Sequence, residues 1–213
     1  IGVCAPSSGV RDRFLPRLDK AFSNVRALGY QAIETDSVRR DFKCVSADAK
    51  TRADELMSLY ENPDVAAIIP PWGGEFLMEM LPFLDLARLS ELPPKWVCGY
   101  SDISTLTFVL TVCCDIATIH GSNFMNMGYT AIHESDLKAF EAMSKSEITQ
   151  YSSDRWGKFA SWNDTTKCAY DLTEKTVWKA LDAKKHQPFE GRMIGGCLDV
   201  LCKLLGTRFA PVP

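Results

Sequence analysis

The sequence lacks a marked charge bias: 24 Lys and Arg stand against 27 Asp and Glu, a net charge of -3 with a pI of about 5.7. That balance removes the electrostatic footprint expected of a nucleic-acid partner. It also lacks a long apolar run. The longest, Leu106 to Cys114, is interrupted by Thr107 and Thr111 and falls far short of the ~20 residues that cross a bilayer; it reads as a buried helix. Neither nucleic acid nor a membrane is an expected partner. Histidine is scarce, and His120, His133 and His186 are scattered with no clustered carboxylates, so no metal-ligand set stands out. Neither G-x-x-x-x-G-K-[ST] nor G-x-G-x-x-G occurs, and no cofactor is expected. Repeats and low-complexity tracts are missing as well.

Cysteine is not missing, but its patterns are. Cys4, Cys44, Cys98, Cys113, Cys114, Cys168, Cys197 and Cys202 form no C-x-x-C pair, and most sit in apolar runs. They read as reduced, mostly buried thiols, which favours a reducing compartment such as the cytoplasm. The 213 residues, 46% hydrophobic and 24% charged, suit an ordinary soluble globular protein of one large domain, or one domain and part of another. Ile1 opens directly into a strand-like run and Pro213 closes just after a helical stretch. Both ends read as cut, so a missing export signal carries no weight.

Through the first half, strand-like and helix-like segments alternate. Ile1 to Pro6 is a strand candidate. Phe14, Leu18, Phe22, Val25 and Leu28 then share a helical face that Gly29 closes. Tyr30 to Thr35 reads as a second strand, Ala47 to Tyr60 as a helix, and Val65 to Ile69 as a strand covered on both faces. Pro70-Pro71-Trp72-Gly73-Gly74 breaks that strand, and helical spacing resumes from Glu75 to Leu89. Lys95 to Gly99 and Ile103 to Ile116 give one more strand and helix. This rhythm predicts an α/β domain with a mainly parallel sheet, whose ligands bind beyond the carboxyl ends of the strands. Three such ends carry unusual loops: Ser7-Ser8-Gly9, Trp72-Gly73-Gly74 and Tyr100-Ser101-Asp102. After about Gln150 the pattern loosens. Residues 151–189 read as a linker, with an exposed or partner-covered loop from Ser152 to Asn163, and residues 190–213 as the start of an incomplete second domain.

Ser101 is the sharpest chemical candidate. It lies between a strand and a helix, where a turn presents a side chain outward and unpaired helical N–H groups face a developing anion. Ile103 stands where the second Gly of a G-x-S-x-G elbow would be, so the α/β-hydrolase fold is not indicated. On spacing alone, Ser101 or Asp102 equally suits a plain helix N-cap. The Gly73-Gly74 pair lets backbone approach a ligand, or is an ordinary turn. A serine nucleophile needs a base, usually oriented by a carboxylate. His120 follows an apolar run and reads as a structural histidine; His133 and His186 read as solvated.

Taken in order, these motifs resemble the LD-carboxypeptidase family. Ile1 to Ser8 is similar to its opening strand, Pro70 to Phe76 to its glycine-pair loop, and Leu81 to Asp85 to the helix that follows. Gly99-Tyr100-Ser101-Asp102 resembles its nucleophile motif, and Glu190 to Leu198 with Gly206-Thr207 the entry to its C-terminal domain. The resemblance implies a flavodoxin-like N-terminal α/β domain over residues 1–150, plus the beginning of a second α/β domain. It implies a serine carboxypeptidase with Ser101 as nucleophile, the backbone N–H groups of Gly74 and Asp102 as oxyanion donors, and Gly73 and Glu75 beside the substrate. The Glu and His of the family's triad are expected beyond residue 213, so the fragment alone is expected to be inactive; Glu190 matches the pre-glycine stretch instead. Trp156 and Ser161-Trp162-Asn163 resemble a loop of the microcin C immunity branch, where a tryptophan stacks on an aminoacyl-nucleotide; Trp162 is the residue implied here, unless it only packs beneath its loop. The other branch removes D-alanine from a muropeptide. A homodimer is implied. Two readings of other classes stay open: an inactive module binding a peptide or nucleotide, and a two-domain small-molecule sensor.

Overall fold

The structure is a computed structural model, and it describes residues 1–145, 147–159, 164–179 and 190–211. Five short parallel strands form the central sheet: β1 (Gly2–Val3), β2 (Ile33–Glu34), β3 (Ala67–Ile68), β4 (Trp96–Gly99) and β5 (Ile119–His120), in the order β2-β1-β3-β4-β5. The sheet is parallel, as the sequence rhythm predicts, and its order is the flavodoxin-like one that the resemblance implies. Neighbouring residues on a strand face opposite sides, which explains the continuous apolar runs. Ile68 and Val97 enter one core, with Ala53, Leu56 and Tyr60 of α2 (Ala49–Glu61) and Leu106 and Leu110 of α4 (Ile103–Cys114). Ile69 and Cys98 enter the other, with Leu18, Ala21 and Val25 of α1 (Leu15–Ala27) and Ala139 and Phe140 of α5 (Glu134–Ser144).

Local chemistry sets the helix limits. Gly29 ends the first helical stretch at φ 89°, a conformation glycine adopts without penalty. The Asp48 side chain accepts the Thr51 N–H at the start of α2. The continuous helix expected from Glu75 to Leu89 is instead two pieces: a 3-10 segment (Leu77–Phe83) and α3 (Leu86–Glu91). Pro82 has no N–H to continue the first piece, Leu84 is extended, and the Asp85 side chain caps the second by accepting the Arg88 N–H. The apolar stretch around Leu106 is indeed a buried helix. Its threonines back-bond within the chain, Thr111 Oγ1 donating to the Thr107 carbonyl at 3.0 Å.

The later chain departs further from expectation. Part of the anticipated loop is a strand, β6 (Arg155–Phe159), paired antiparallel with β7 (Tyr170–Lys175) and shifted in register between Trp156 and Lys158. The bulge breaks the simple alternation by which a strand is read from sequence. Residues 190–211 include α6 (Leu198–Leu204), whose Leu201 and Leu204 join the core that holds α4. The eight cysteines are free thiols, yet only Cys4, Cys98 and Cys114 are buried; Cys44 and Cys202 are exposed, contrary to a mostly buried set. Among the described residues no helix is long and apolar enough to cross a membrane.

Leu106 is fully buried in the α4 core. Leu106→Ala is therefore expected to cost about 2–5 kcal/mol of stability, read from the midpoint of urea unfolding; a loss near zero would show that α4 is not part of the folding core.

Candidate active site

The sheet order reverses at β1, whose neighbours β2 and β3 lie on opposite sides. The crevice at the carboxyl ends of β1 and β3 is where open α/β sheets bind ligands. The loops after β1, β3 and β4 meet there. Ser101 follows β4 directly and has φ 62°, a left-handed conformation that costs a non-glycine residue about 1–3 kcal/mol unless its surroundings hold it. They do hold it. The Ser104 N–H donates to the Ser101 carbonyl at 2.9 Å, opening α4. Just upstream, the buried Asn123 side chain accepts the Tyr100 N–H at 3.1 Å.

The glycine pair packs against this turn. A Cβ on Gly73 would stand 2.9 Å from the Asp102 nitrogen and 3.0 Å from Ser101 Oγ. One on Gly74 would stand 2.2 Å from Ser7 Oγ and 2.5 Å from Ser8 Oγ. Neither position has room for a side chain. The Ser8 N–H donates to the Gly73 carbonyl at 3.4 Å. In a trans peptide the N–H opposes the C=O, so the Gly74 N–H is turned to the side away from Ser8.

Two buried polar groups tie the loops together. Asp102 Oδ2 accepts from Ser7 Oγ at 2.6 Å and from the Leu77 N–H at 3.0 Å, and Asp102 is 3% exposed. Arg52, on α2, donates to the carbonyls of Pro6 at 3.0 Å and Phe76 at 2.8 Å, and pairs with Glu79 at 2.8 Å. A cavity of about 330 Å³ opens over the three loops. Ser101, Gly73, Gly74, Glu75, Trp72 and Tyr100 are among the residues that line it. Trp72 is fixed by donating Nε1–H to the Gly9 carbonyl at 3.1 Å and by the edge of Phe14, 5.2 Å away. Burial pushes the Tyr100 phenol up to about 12, against the opposing pull of Arg17.

The structure thus brings together Ser101, Asp102, Gly73, Gly74 and Glu75. The Glu75 carboxylate is exposed and lies 3.7 Å from Lys203 of α6. Trp162 and His186 lie outside the described residues. His120 is exposed at the end of β5 and lines a different cavity, so it is not the structural histidine expected; the short β5 ends at that residue before its ring can be covered. His133 is partly buried: it caps α5 by accepting the Ser135 N–H and meets the edge of Tyr170 at 4.9 Å. Among the described residues no histidine lines the Ser101 cavity. Arg52 and Asn123 went unflagged by sequence reasoning. Each is a polar residue whose partners lie far away in sequence, and only the seryl loop Ser7-Ser8 gave a local signal.

Fold and site together define an α/β protein with a strained serine at a strand-to-helix turn, faced by a glycine pair. The sequence profile of the LD-carboxypeptidase N-terminal domain matches residues 1–121, more than half of the chain, and the chain belongs to that family. It is 26% identical over 218 residues to a putative carboxypeptidase of Vibrio cholerae, covering 99% of this chain and 63% of that protein. It is 28% identical over 174 residues to the microcin C7 self-immunity protein MccF of Escherichia coli, covering 78% and 49%. The murein tetrapeptide carboxypeptidase of Pseudomonas aeruginosa is 25% identical over 170 residues, covering 80% and 49%. A solved structure of MccF in complex with aspartyl sulfamoyl adenosine superposes with a TM-score of 0.79 at 22% identity, covering 99% of this chain and 64% of that one. The chain therefore spans between about half and under two thirds of the length of these relatives.

Two changes test this description without an activity assay. Arg52→Ala would leave the Pro6 and Phe76 carbonyls without their donor and is expected to cost about 2–4 kcal/mol in thermal or urea unfolding. Gly73→Ala is expected to lower stability by about 1–3 kcal/mol, because the new methyl meets backbone at Asp102; an unchanged unfolding midpoint would mean that the two loops are not in contact.

Proposed function

We propose that the chain carries the nucleophile and oxyanion donors of a serine carboxypeptidase that hydrolyses an amide bond. The observation that carries this reading is Ser101, held at φ 62° with Gly73 against its hydroxyl. The N-cap of α4 is Asp102 and not Ser101, so capping does not account for the serine's conformation. In the proposed reaction Ser101 Oγ attacks the amide carbon and its proton passes to a histidine base. The carbonyl π electrons move to oxygen, and the N–H groups of Gly74 and Asp102 hold that oxyanion. Collapse breaks the C–N bond, the base protonates the departing amine, and water hydrolyses the acyl-serine by the same route. Each such donor is worth about 2.7–4 kcal/mol in serine peptidases. The histidine and its carboxylate partner are not assigned to residues of this chain, and we take them to be supplied by a further part of the protein.

For substrate, we favour an aminoacyl-nucleotide or related peptide conjugate, with a muropeptide as the alternative. The similarity to MccF supports the first and the similarity to a murein tetrapeptide carboxypeptidase the second. The β6–β7 hairpin also presents Trp156 with 57% of its surface exposed, just ahead of Trp162, and an indole face is suited to stacking on a nucleobase. Gly73 and Glu75 would border the bound substrate. The family resemblance further suggests a homodimer, and the free cysteines a reducing setting such as the cytoplasm.

The test is a mass-spectrometric hydrolysis assay on full-length protein, offered a muropeptide tetrapeptide and an aspartyl-nucleotide conjugate side by side. Cleavage of the conjugate is expected, and Ser101→Ala should abolish it with the fold intact. Release of D-alanine alone would assign the protein to the murein branch. Ligand binding with no product at any enzyme concentration would make it a binding module.

A further inference from the structure

We propose that the Asp102 side chain is a positioning group that holds the two oxyanion donors in register, separate from any role of its own backbone N–H. The inference rests on the reading of Ser101 as nucleophile. The two donor N–H groups belong to different loops, Gly74 after β3 and Asp102 after β4, and no strand pairing reaches either. Asp102 Oδ2 spans the gap. It accepts from the Leu77 N–H at 3.0 Å, just downstream of Gly74, and from Ser7 Oγ at 2.6 Å. Ser7 Oγ in turn occupies the space where a Gly74 Cβ would stand. The short hydroxyl contact has the length of a charge-assisted bond to a carboxylate, and the site is buried, where such bonds are least weakened by water.

The side chain is badly placed for acid or base work. The Asp102 residue is 3% exposed, and the carboxylate oxygen described accepts from Ser7 and Leu77, not from Ser101. At the glycine pair itself, the β1 loop is held by the 3.4 Å bond from the Ser8 N–H to the Gly73 carbonyl, which is long for a hydrogen bond; the Trp72 indole bond to the Gly9 carbonyl lies on the other side of Gly73, away from Gly74 in sequence. Arg52 fixes the loops further out, at Pro6 and Phe76. Without the carboxylate, the Gly74 N–H would keep its chain position but lose its fixed distance from the Asp102 N–H. A misplaced donor loses stabilisation of the transition state while leaving ground-state binding nearly untouched.

The experiment is the rate at which a fluorophosphonate labels Ser101 in full-length protein. The bound phosphonyl oxygen takes the place of the oxyanion, and no knowledge of the natural substrate is needed. Asp102→Ala is expected to slow labelling by about a hundredfold, the scale of losing one oxyanion donor. Asp102→Asn, whose amide oxygen can still accept from Ser7 and Leu77, should recover a large part of that loss. Ser7→Ala should slow labelling by roughly tenfold, and it carries the test if Asp102→Ala fails to fold. In each case the apparent affinity for the probe should hold while the maximal rate falls. Wild-type rates in folded Asp102→Ala or Ser7→Ala would overturn the proposal, as would an Asp102→Asn variant no faster than Asp102→Ala. Labelling that persists unchanged in Ser101→Ala would remove the nucleophile itself, and with it this role for Asp102.

Discussion

Three loops leave the carboxyl edge of the sheet, and the backbone pairing of the strands ends before their tips. Arg52 joins two of them, and what joins all three is a buried carboxylate. Asp102 accepts from the loop after β1 through Ser7 and from the loop after β3 through Leu77, while its own backbone begins the helix after β4. Remove that interaction and the strained backbone of Ser101 has less to hold it, since such conformations persist only when their surroundings over-determine them. The absence of side chains at Gly73 and Gly74 completes the arrangement, because each would strike the serine turn or the seryl loop. The geometry is therefore a property of three distant segments at once.

That dependence explains what was legible in the sequence and what was not. The parallel sheet was legible because each strand is short, apolar and separated from the next by a helical period. The segment Val65 to Ile69, with neighbours entering opposite cores, is the clearest case. Ser101 and the glycine pair were legible because their signal is local, a chain reversal at a strand end. Arg52 and Asn123 were not, since nothing in their immediate neighbourhood announces that a guanidinium or an amide will be buried against carbonyls and N–H groups from other loops. The helix expected from Glu75 to Leu89 breaks at the extended Leu84, two residues after Pro82, a break that its apolar periodicity does not show.

The segments after the sheet show the same limit in another form. The β6–β7 hairpin was obscured by its register shift; α6 was legible as a helical stretch, but not the core that its Leu201 and Leu204 join from far along the sequence. Of the two elements, α6 brings Lys203 beside Glu75 at the site, while the hairpin exposes Trp156. The core of the site comes from the matched family segment, residues 1–121.

The central claim is that Ser101 forms the covalent intermediate. The most direct measurement is acid quenching of full-length protein during turnover, followed by peptide mass spectrometry. The account predicts an acyl mass on the peptide spanning Gly99 to Ile103, localised to Ser101. Product accumulating with no adduct on that peptide, or with the adduct on another residue, would contradict it.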